Sequence, residues 1–232
     1  MSQSQLRNKL LRKLTSDDFQ VVWPRMEKVD LALKQEPLHR GDVIDFVYFP
    51  EDCVCSLVAK TESVNGIEVG MFGFEGMSNM VVRRGDQTAL STIVQVAGSA
   101  WRINAEDFAS LLRTQPSLNE LTLRYKEAIS IQFAYTALAN GSFTIEERLA
   151  RWLLMSQDRS QLETIPMVHE FLAMMLAVRR SGVTTATHVL EGVGAIKANR
   201  GSITIRSRDK LLEFAGESYG VPEAEYDRLM SY

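Results

Sequence analysis

"LAVRRSGVTTATHVLEG", Leu176 to Gly192, is the stretch whose reading decides the fold. Placed on a helix from Arg180 to Gly192, Val183, Ala186 and Leu190 fall on one side, spaced to pack against a preceding helix. Ser181, Thr184, Thr185 and His188 fall on the other. Threonine is a poor helix former, and Lys or Glu would serve a purely solvated face better. A helix laid in the major groove of DNA has a use for such residues. Hydroxyls bond phosphates or base edges, and a threonine methyl meets the thymine methyl. Arg180, at the leading end, can reach guanine O6 and N7. Arg179 suits a phosphate, helped by the positive end of the helix.

Local charge agrees. From Arg179 to Lys210 the cations are Arg179, Arg180, Lys197, Arg200, Arg206, Arg208 and Lys210. Seven cations against Glu191 and Asp209 leave +5 on a chain of 232 residues whose formal net charge is −3. Any nucleic-acid role is therefore local to this region.

The flanking sequence supplies the context. Val168–Leu176 reads as a helix with Phe171, Leu172 and Met175 inward. After the quoted stretch, "AIKANRGSITIRS" places Asn199-Arg200-Gly201 between two β-capable pieces, with Arg200 at the tip of a short hairpin. Thr144 and Glu147 have capping-box spacing and open a further helix, "IEERLARWLLMSQ". Helix, turn, helix and hairpin is the order of a winged helix-turn-helix.

Working toward the N-terminus, the texture from Pro37 to Ile103 is strand and turn. "DVIDFVYF", "VCSLVA", "ALSTIVQV" and "SAWRI" are rich in β-branched and aromatic residues, and Asn65-Gly66 is a hairpin signal. Such short strands predict a small antiparallel barrel or sandwich. Asn104 then caps a helix, and Ser117 with Glu120 has the spacing to cap a longer one, Leu118–Ala139, that stops at Asn140-Gly141. Leu118, Leu121, Tyr125, Ala128, Gln132, Tyr135 and Ala139 repeat on it at a 3,4 spacing, and Leu123, Ile129, Ile131 and Phe133 add apolar surface elsewhere. A helix apolar on more than one side wants more than one neighbour, either within its own domain or on a second copy.

The remaining features narrow the class. With 45% hydrophobic residues the chain can bury one large core or two modest ones. No run is long enough for a signal peptide or a membrane span, so a cytoplasmic protein is expected. Leu6, Leu10, Leu11 and Leu14 predict a first helix packed on a domain rather than on a membrane. Cys53 and Cys55, two apart on a strand, read as reduced thiols, because no other cysteine completes a metal site. His39, His169 and His188 are scattered, and no catalytic constellation or metal site is expected. The chain reads as a binding protein, not an enzyme.

"HEFLAMMLAVRRSGVTTATHVL" resembles the helix-turn-helix of the cyclic-AMP receptor/fumarate–nitrate regulator (CRP/FNR) family, whose pattern is close to E-x-L-A-x-M-L-G-V-S-R-E-T-V. Glu170, Leu172, Ala173, Met175, Leu176, Val178, Arg180 and Val183 match it in place. "GDVIDFVYFPEDCVCSLVA", "IEVGMFGFEGM" and the long helix resemble the family's β-roll and dimer helix. The resemblance implies an α+β fold: an N-terminal antiparallel β-roll of the cyclic-nucleotide-binding type, residues 1–116; a dimerisation helix and hinge, 117–143; and a C-terminal winged helix-turn-helix, 144–232. It implies a homodimer through the 118–139 helix that binds double-stranded DNA under allosteric control, with RNA polymerase as a further partner. The DNA-contacting set is then Arg179, Arg180, Ser181, Thr184, Thr185, His188 and Arg200.

Departures from the pattern matter. Ala177 stands where the family has Gly, Arg179 where Ser caps the recognition helix, Ser181 where a base-reading Glu is usual, and Thr185 where a second Arg follows. The family's effector segments map onto Gly73, Glu75, Gly76 and Met77 and onto Gln87 and Thr88, and the second lacks the phosphate-gripping arginine. Arg83 and Arg84, just ahead of it, are the cations available as substitutes. A buried cyclic phosphate needs a cation or many donors, so a cyclic nucleotide is disfavoured and no cofactor is predicted. The rival reading is a ligand-responsive protein-interaction module whose winged helix no longer binds DNA.

Overall fold

The computed structural model describes residues 2–64, 66–78 and 85–231; Asn65, Arg83 and Arg84 lie outside the described residues. The chain opens with two short helices, α1 (Lys9–Lys13) and α2 (Ser16–Val22), capped by the side chains of Asn8 and Thr15. Leu6, Leu10, Leu11 and Leu14 are all buried in the first core, as packing on a domain predicts.

Among the described residues six strands follow: β1 (Glu27–Leu31), β2 (Phe46–Pro50), β3 (Val54–Ala59), β4 (Ile67–Phe72), β5 (Ser91–Val96) and β6 (Gly98–Asn104). They form two antiparallel sheets, ordered β1-β6-β2 and β4-β3-β5. β1, "EKVDL", lies ahead of the region that reads as strand, because it is a largely exposed edge strand with little apolar signal. β3 and β4 form the expected hairpin, but Ala59 pairs with Ile67, so the connection is residues 60–66 rather than a two-residue Asn-Gly turn. Cys53 and Cys55 are free and buried.

Asn104 caps α3 (Ala105–Thr114), accepting from Glu106 N at 2.9 Å. The next helix, α4 (Pro116–Ser142), departs from expectation at both ends. Pro116, in the first turn, pre-sets the backbone and has no N–H to satisfy. The Ser117–Glu120 box does not form; Ser117 donates instead to Asp18 Oδ2 at 2.6 Å. The helix also runs through Asn140-Gly141. It breaks only where Thr144 caps α5 (Ile145–Ser160) in a reciprocal box with Glu147.

Leu118, Leu121, Tyr125, Ala128, Gln132 and Ala139 of α4 are buried within the single chain, so the 3,4 seam faces its own protein. Gln132, which interrupts the apolar seam, has a structural reason. Its Oε1 accepts from Met71 N at 2.6 Å and its Nε2 donates to Met71 O at 3.1 Å, pairing the open side of edge strand β4. Gly70 permits this close approach, since a Cβ there would sit 2.6 Å from the Phe133 ring. The opposite side of α4 exposes Leu123, Ala134, Ala137 and Leu138.

The C-terminal part continues with β7 (Thr164–Pro166), α6 (His169–Met175), α7 (Arg180–Gly192), β8 (Ile196–Asn199), β9 (Ser202–Ile205), α8 (Arg208–Ala215) and α9 (Val221–Met230). β8 and β9 form the hairpin read at Asn199–Gly201, with Gly201 at φ +82 in the turn, and β7 adds on the far side of β9. Val183, Ala186, Leu190, Trp152 and Leu153 share a core with Val58, Met71 and Ile93 of the β4-β3-β5 sheet. The winged part is thus docked on the β-roll. α9, which the sequence reading does not single out, returns to lie along α4, with Met230 in the N-terminal core and Leu229 O accepting from Arg124.

A buried acid lies in this docked seam. Glu68 on β4 is 4% exposed and accepts hydrogen bonds from the Ser56 hydroxyl and from Trp152 Nε1 on α5. Burial, only partly offset by these two donors, pushes its carboxyl up from 4.5 to about 7.

Candidate nucleic-acid interface

α7 spans Arg180–Gly192, the limits that residue spacing predicts. Val183, Ala186 and Leu190 are fully buried. Thr187 is fully buried as well, and its hydroxyl donates to Val183 O at 2.8 Å. Of the three threonines, one therefore belongs to the core side, because position 187 lies four residues from Val183 on the same helical stripe.

The outward face carries the rest. Arg179, Arg180, Ser181, Thr185 and His188 are exposed, and Thr184 is half-buried. Thr184 donates to Arg180 O at 3.1 Å and sits 3.2 Å from His169 Nδ1, while Thr185 donates to Ser181 O at 3.2 Å. Those hydroxyls donate back along the helix, which leaves oxygen lone pairs and methyls for a partner. Arg200 is exposed at the hairpin tip.

Arg179, Arg180, Lys197, Arg200 and Arg206 are exposed and make no side-chain hydrogen bond or ion pair among the described residues. Arg208 is otherwise engaged, pairing with Asp158 at 2.7 Å and donating to Gln157 at 2.8 Å. Lys210 donates to Val193 O at 2.7 Å. The open cationic surface is accordingly five residues around α7 and the hairpin, smaller than the charge count along the chain suggests.

The turn between α6 and α7 explains one departure from the pattern. Ala177 has φ +50, a left-handed conformation that costs an L-residue but not glycine. Ala177→Gly is expected to stabilise the protein by about 1 kcal/mol, read by urea denaturation; a neutral or destabilising result contradicts the strain. Arg179 occupies the N-cap of α7 and makes no side-chain cap bond.

The expected effector residues are placed apart. Glu75 forms an ion pair with Arg159 of α5 at 2.8 Å and accepts from Gly73 N at 3.0 Å. Gly76 packs against Tyr125, where a Cβ would come 2.3 Å from the phenol oxygen, and the buried Met77 accepts from that hydroxyl at 3.1 Å. Gln87 is exposed and bridges to Val43, and Thr88 donates to Leu90 O at 2.7 Å. Neither lines the cavity that Glu75 borders. Among the described residues, no three His, Cys, Asp or Glu side chains are grouped to hold a metal ion.

Residues 147–214, which contain α6, α7 and the hairpin, match the Crp-like helix-turn-helix domain family. The chain has the fold of a CRP/FNR regulator. FixK2 from Bradyrhizobium japonicum superposes with a TM-score of 0.70 at 13% identity, over 82% of this chain and 98% of that one. A CRP/FNR-family transcriptional regulator of Thermus thermophilus gives 0.67 at 18%, over 84% and 100%. A CRP-family regulator from the same organism gives 0.66 at 16%, over 81% and 96%. No curated protein sequence matches the chain. Within that fold, α6 and α7 take the places of the two helices of the helix-turn-helix, and the β8–β9 hairpin follows them. No helix of the described residues is long and apolar enough to cross a membrane.

Proposed function

We propose that the chain is a sequence-specific, homodimeric, cytoplasmic DNA-binding transcription regulator controlled through its N-terminal β-roll. The observation that carries this reading is α7 itself: one side wholly buried, the other presenting Arg180, Ser181, Thr185 and His188 beside unpaired guanidinium groups. Arg180 reads a base edge. Thr184, Thr185, Ser181 and His188 touch bases or phosphates, and Arg179 and Arg200 hold the phosphate backbone. The uncapped first turn of α7 leaves backbone N–H groups for a phosphate.

Residues 1–116 act as sensor, 117–143 as dimer helix and hinge, and 144–232 as the DNA-binding part. The dimer uses the face of α4 that the chain leaves open, with Leu123 50% and Leu138 48% exposed. A signal changes the packing of α4 and of the docked seam. That sets whether two recognition helices lie about 34 Å apart, the spacing of successive half-sites. Bound near a promoter, the dimer meets RNA polymerase.

Arg200→Ala tests the wing. It is expected to weaken binding to all DNA sequences alike and to lower the salt slope by about 1, measured by fluorescence anisotropy over a salt series. A loss confined to one sequence contradicts a phosphate role. Exposed Val189 and Val193 on the C-terminal turn of α7 favour the rival reading, a module that docks a protein. DNA affinity that falls steeply with salt and prefers one sequence excludes it.

A further inference from the structure

The face of the β4-β3-β5 sheet on which the winged part rests is not uniformly apolar. Val58, Met71 and Ile93 enter the shared core, and among them stand Ser56, Glu68 and Gln95, all buried. These three join into a chain that crosses the seam. Trp152 Nε1 of α5 donates to Glu68 Oε2 at 3.2 Å, and the Ser56 hydroxyl donates to the same oxygen. Gln95 Nε2 donates to Ser56 Oγ at 2.7 Å and lies 3.3 Å from Met175 Sδ of α6. Both helices that lead into α7 therefore meet the β-roll through this chain.

Two acceptors in the chain lack donors. Gln95 Oε1 is buried with no hydrogen-bond partner among the described residues. Glu68 Oε1 accepts no hydrogen bond among them either, since both donors use Oε2. A carboxylate has about four lone-pair sites, so the docked seam meets half of what the ion needs. A proton on Oε1 removes the charge and keeps both bonds to Oε2. The seam is thus built for the neutral acid, and water entering on separation supplies the missing donors.

The charges that act on Glu68 come from α5. Arg151, 6% exposed, donates to the Thr136 hydroxyl at 3.1 Å, and Arg159 is paired with Glu75. Both favour the ionised acid, by less than burial disfavours it. From α4, Gln132 and Phe133 meet β4 and carry no charge. On α6, Glu170 is exposed and His169 meets Thr184. Cys55 of β3 belongs to the N-terminal core, and β5 contains no titratable side chain.

We propose that this seam is a proton-operated latch: with Glu68 neutral the winged part stays on the β-roll, and loss of the proton releases it while the β-roll keeps its fold. Naming the proton as a signal for DNA binding rests on the regulator reading above; the release itself does not. The carboxyl titrates near 4.5 in water and at about 7 in the seam. Release is therefore expected to grow about tenfold per pH unit between those values and to level off above them.

Hydrogen exchange of the Trp152 indole N–H, followed by NMR on the full-length protein without DNA, tests it. The rate is expressed as a protection factor, which removes the intrinsic pH dependence of exchange. Backbone amides of β6, the central strand of the other sheet, report global unfolding. The Trp152 protection factor is expected to fall about tenfold per unit from pH 5 to pH 7 and to stay below that of the β6 amides. In Glu68→Gln it is expected to be level across that range; Trp152→Phe assigns the signal. Trp152 exchanging no faster than the β6 amides, a wild-type protection factor independent of pH, or the same fall in E68Q overturns the proposal. Release with no affinity for DNA would leave the latch standing and sink the regulator reading; DNA binding without release would do the reverse.

Discussion

Glu68→Gln is expected to stabilise the protein at pH 8 by about 3 kcal/mol and to flatten the dependence of stability on pH, since one pKa unit is worth about 1.4 kcal/mol. The carboxyl is raised from 4.5 to about 7 in the folded protein. The native state therefore keeps a proton that the unfolded chain has already released between those values. Stability contributed by the neutral acid is full below pH 4.5, falls as pH rises through the window, and is lost above about 7. Glutamine keeps the shape and the acceptor that Ser56 and Trp152 use, and it carries no charge to desolvate. Urea unfolding of both proteins at pH 5, 6, 7 and 8 gives a difference curve in which other titrating groups cancel. The account predicts two curves that diverge as pH rises; parallel curves would show that Glu68 ionises without penalty. Because Trp152 lies on α5 and Glu68 on β4, the same proton acts on the contact between the winged part and the β-roll.

Arg180→Ala is the second large effect. It is expected to cost about 1–3 kcal/mol on the preferred DNA site and much less on other sequences, so that sequence choice relaxes. Arg180 is exposed and makes no side-chain bond within the protein among the described residues, so Tm is expected to hold. Competition titrations against the preferred and scrambled duplexes separate the cases. An equal loss on every sequence would move Arg180 from the bases to the backbone.

Features set by local chemistry were legible in the sequence. The limits of α7, the β8–β9 hairpin, the Asn104 cap and the Thr144–Glu147 box each depend on a few neighbouring residues, and each is present. The expectations that failed were decided by distant partners. Ser117 left its local box for Asp18, nearly a hundred residues away, and Pro116 was the better start signal. Asn140-Gly141 did not stop α4, because a glycine in open space tolerates helical angles and the Thr144 cap fixes the break. Gln132 interrupts an apolar repeat, and only the edge of β4 explains it.

At the site, the spacing of α7 separated packed from presented residues but left Thr187 to the three-dimensional packing. Charge counted along the chain could not show that Arg208 serves Asp158. The Glu75–Arg159 pair joins residues 84 positions apart, so the resemblance that pointed to Glu75 for an effector could not show that it is occupied. α9 had a cue, Pro222 and Glu223 at the start of "VPEAEYDRLM", but nothing local says that it returns to α4.

Selection of bound duplexes from a randomised DNA library, repeated at two salt concentrations, tests the central claim most directly. The account predicts a nearly palindromic sequence whose half-sites lie about 10 base pairs apart, bound far more weakly at the higher salt. Recovery of no common sequence, or a single unpaired half-site bound equally at both salts, would contradict it.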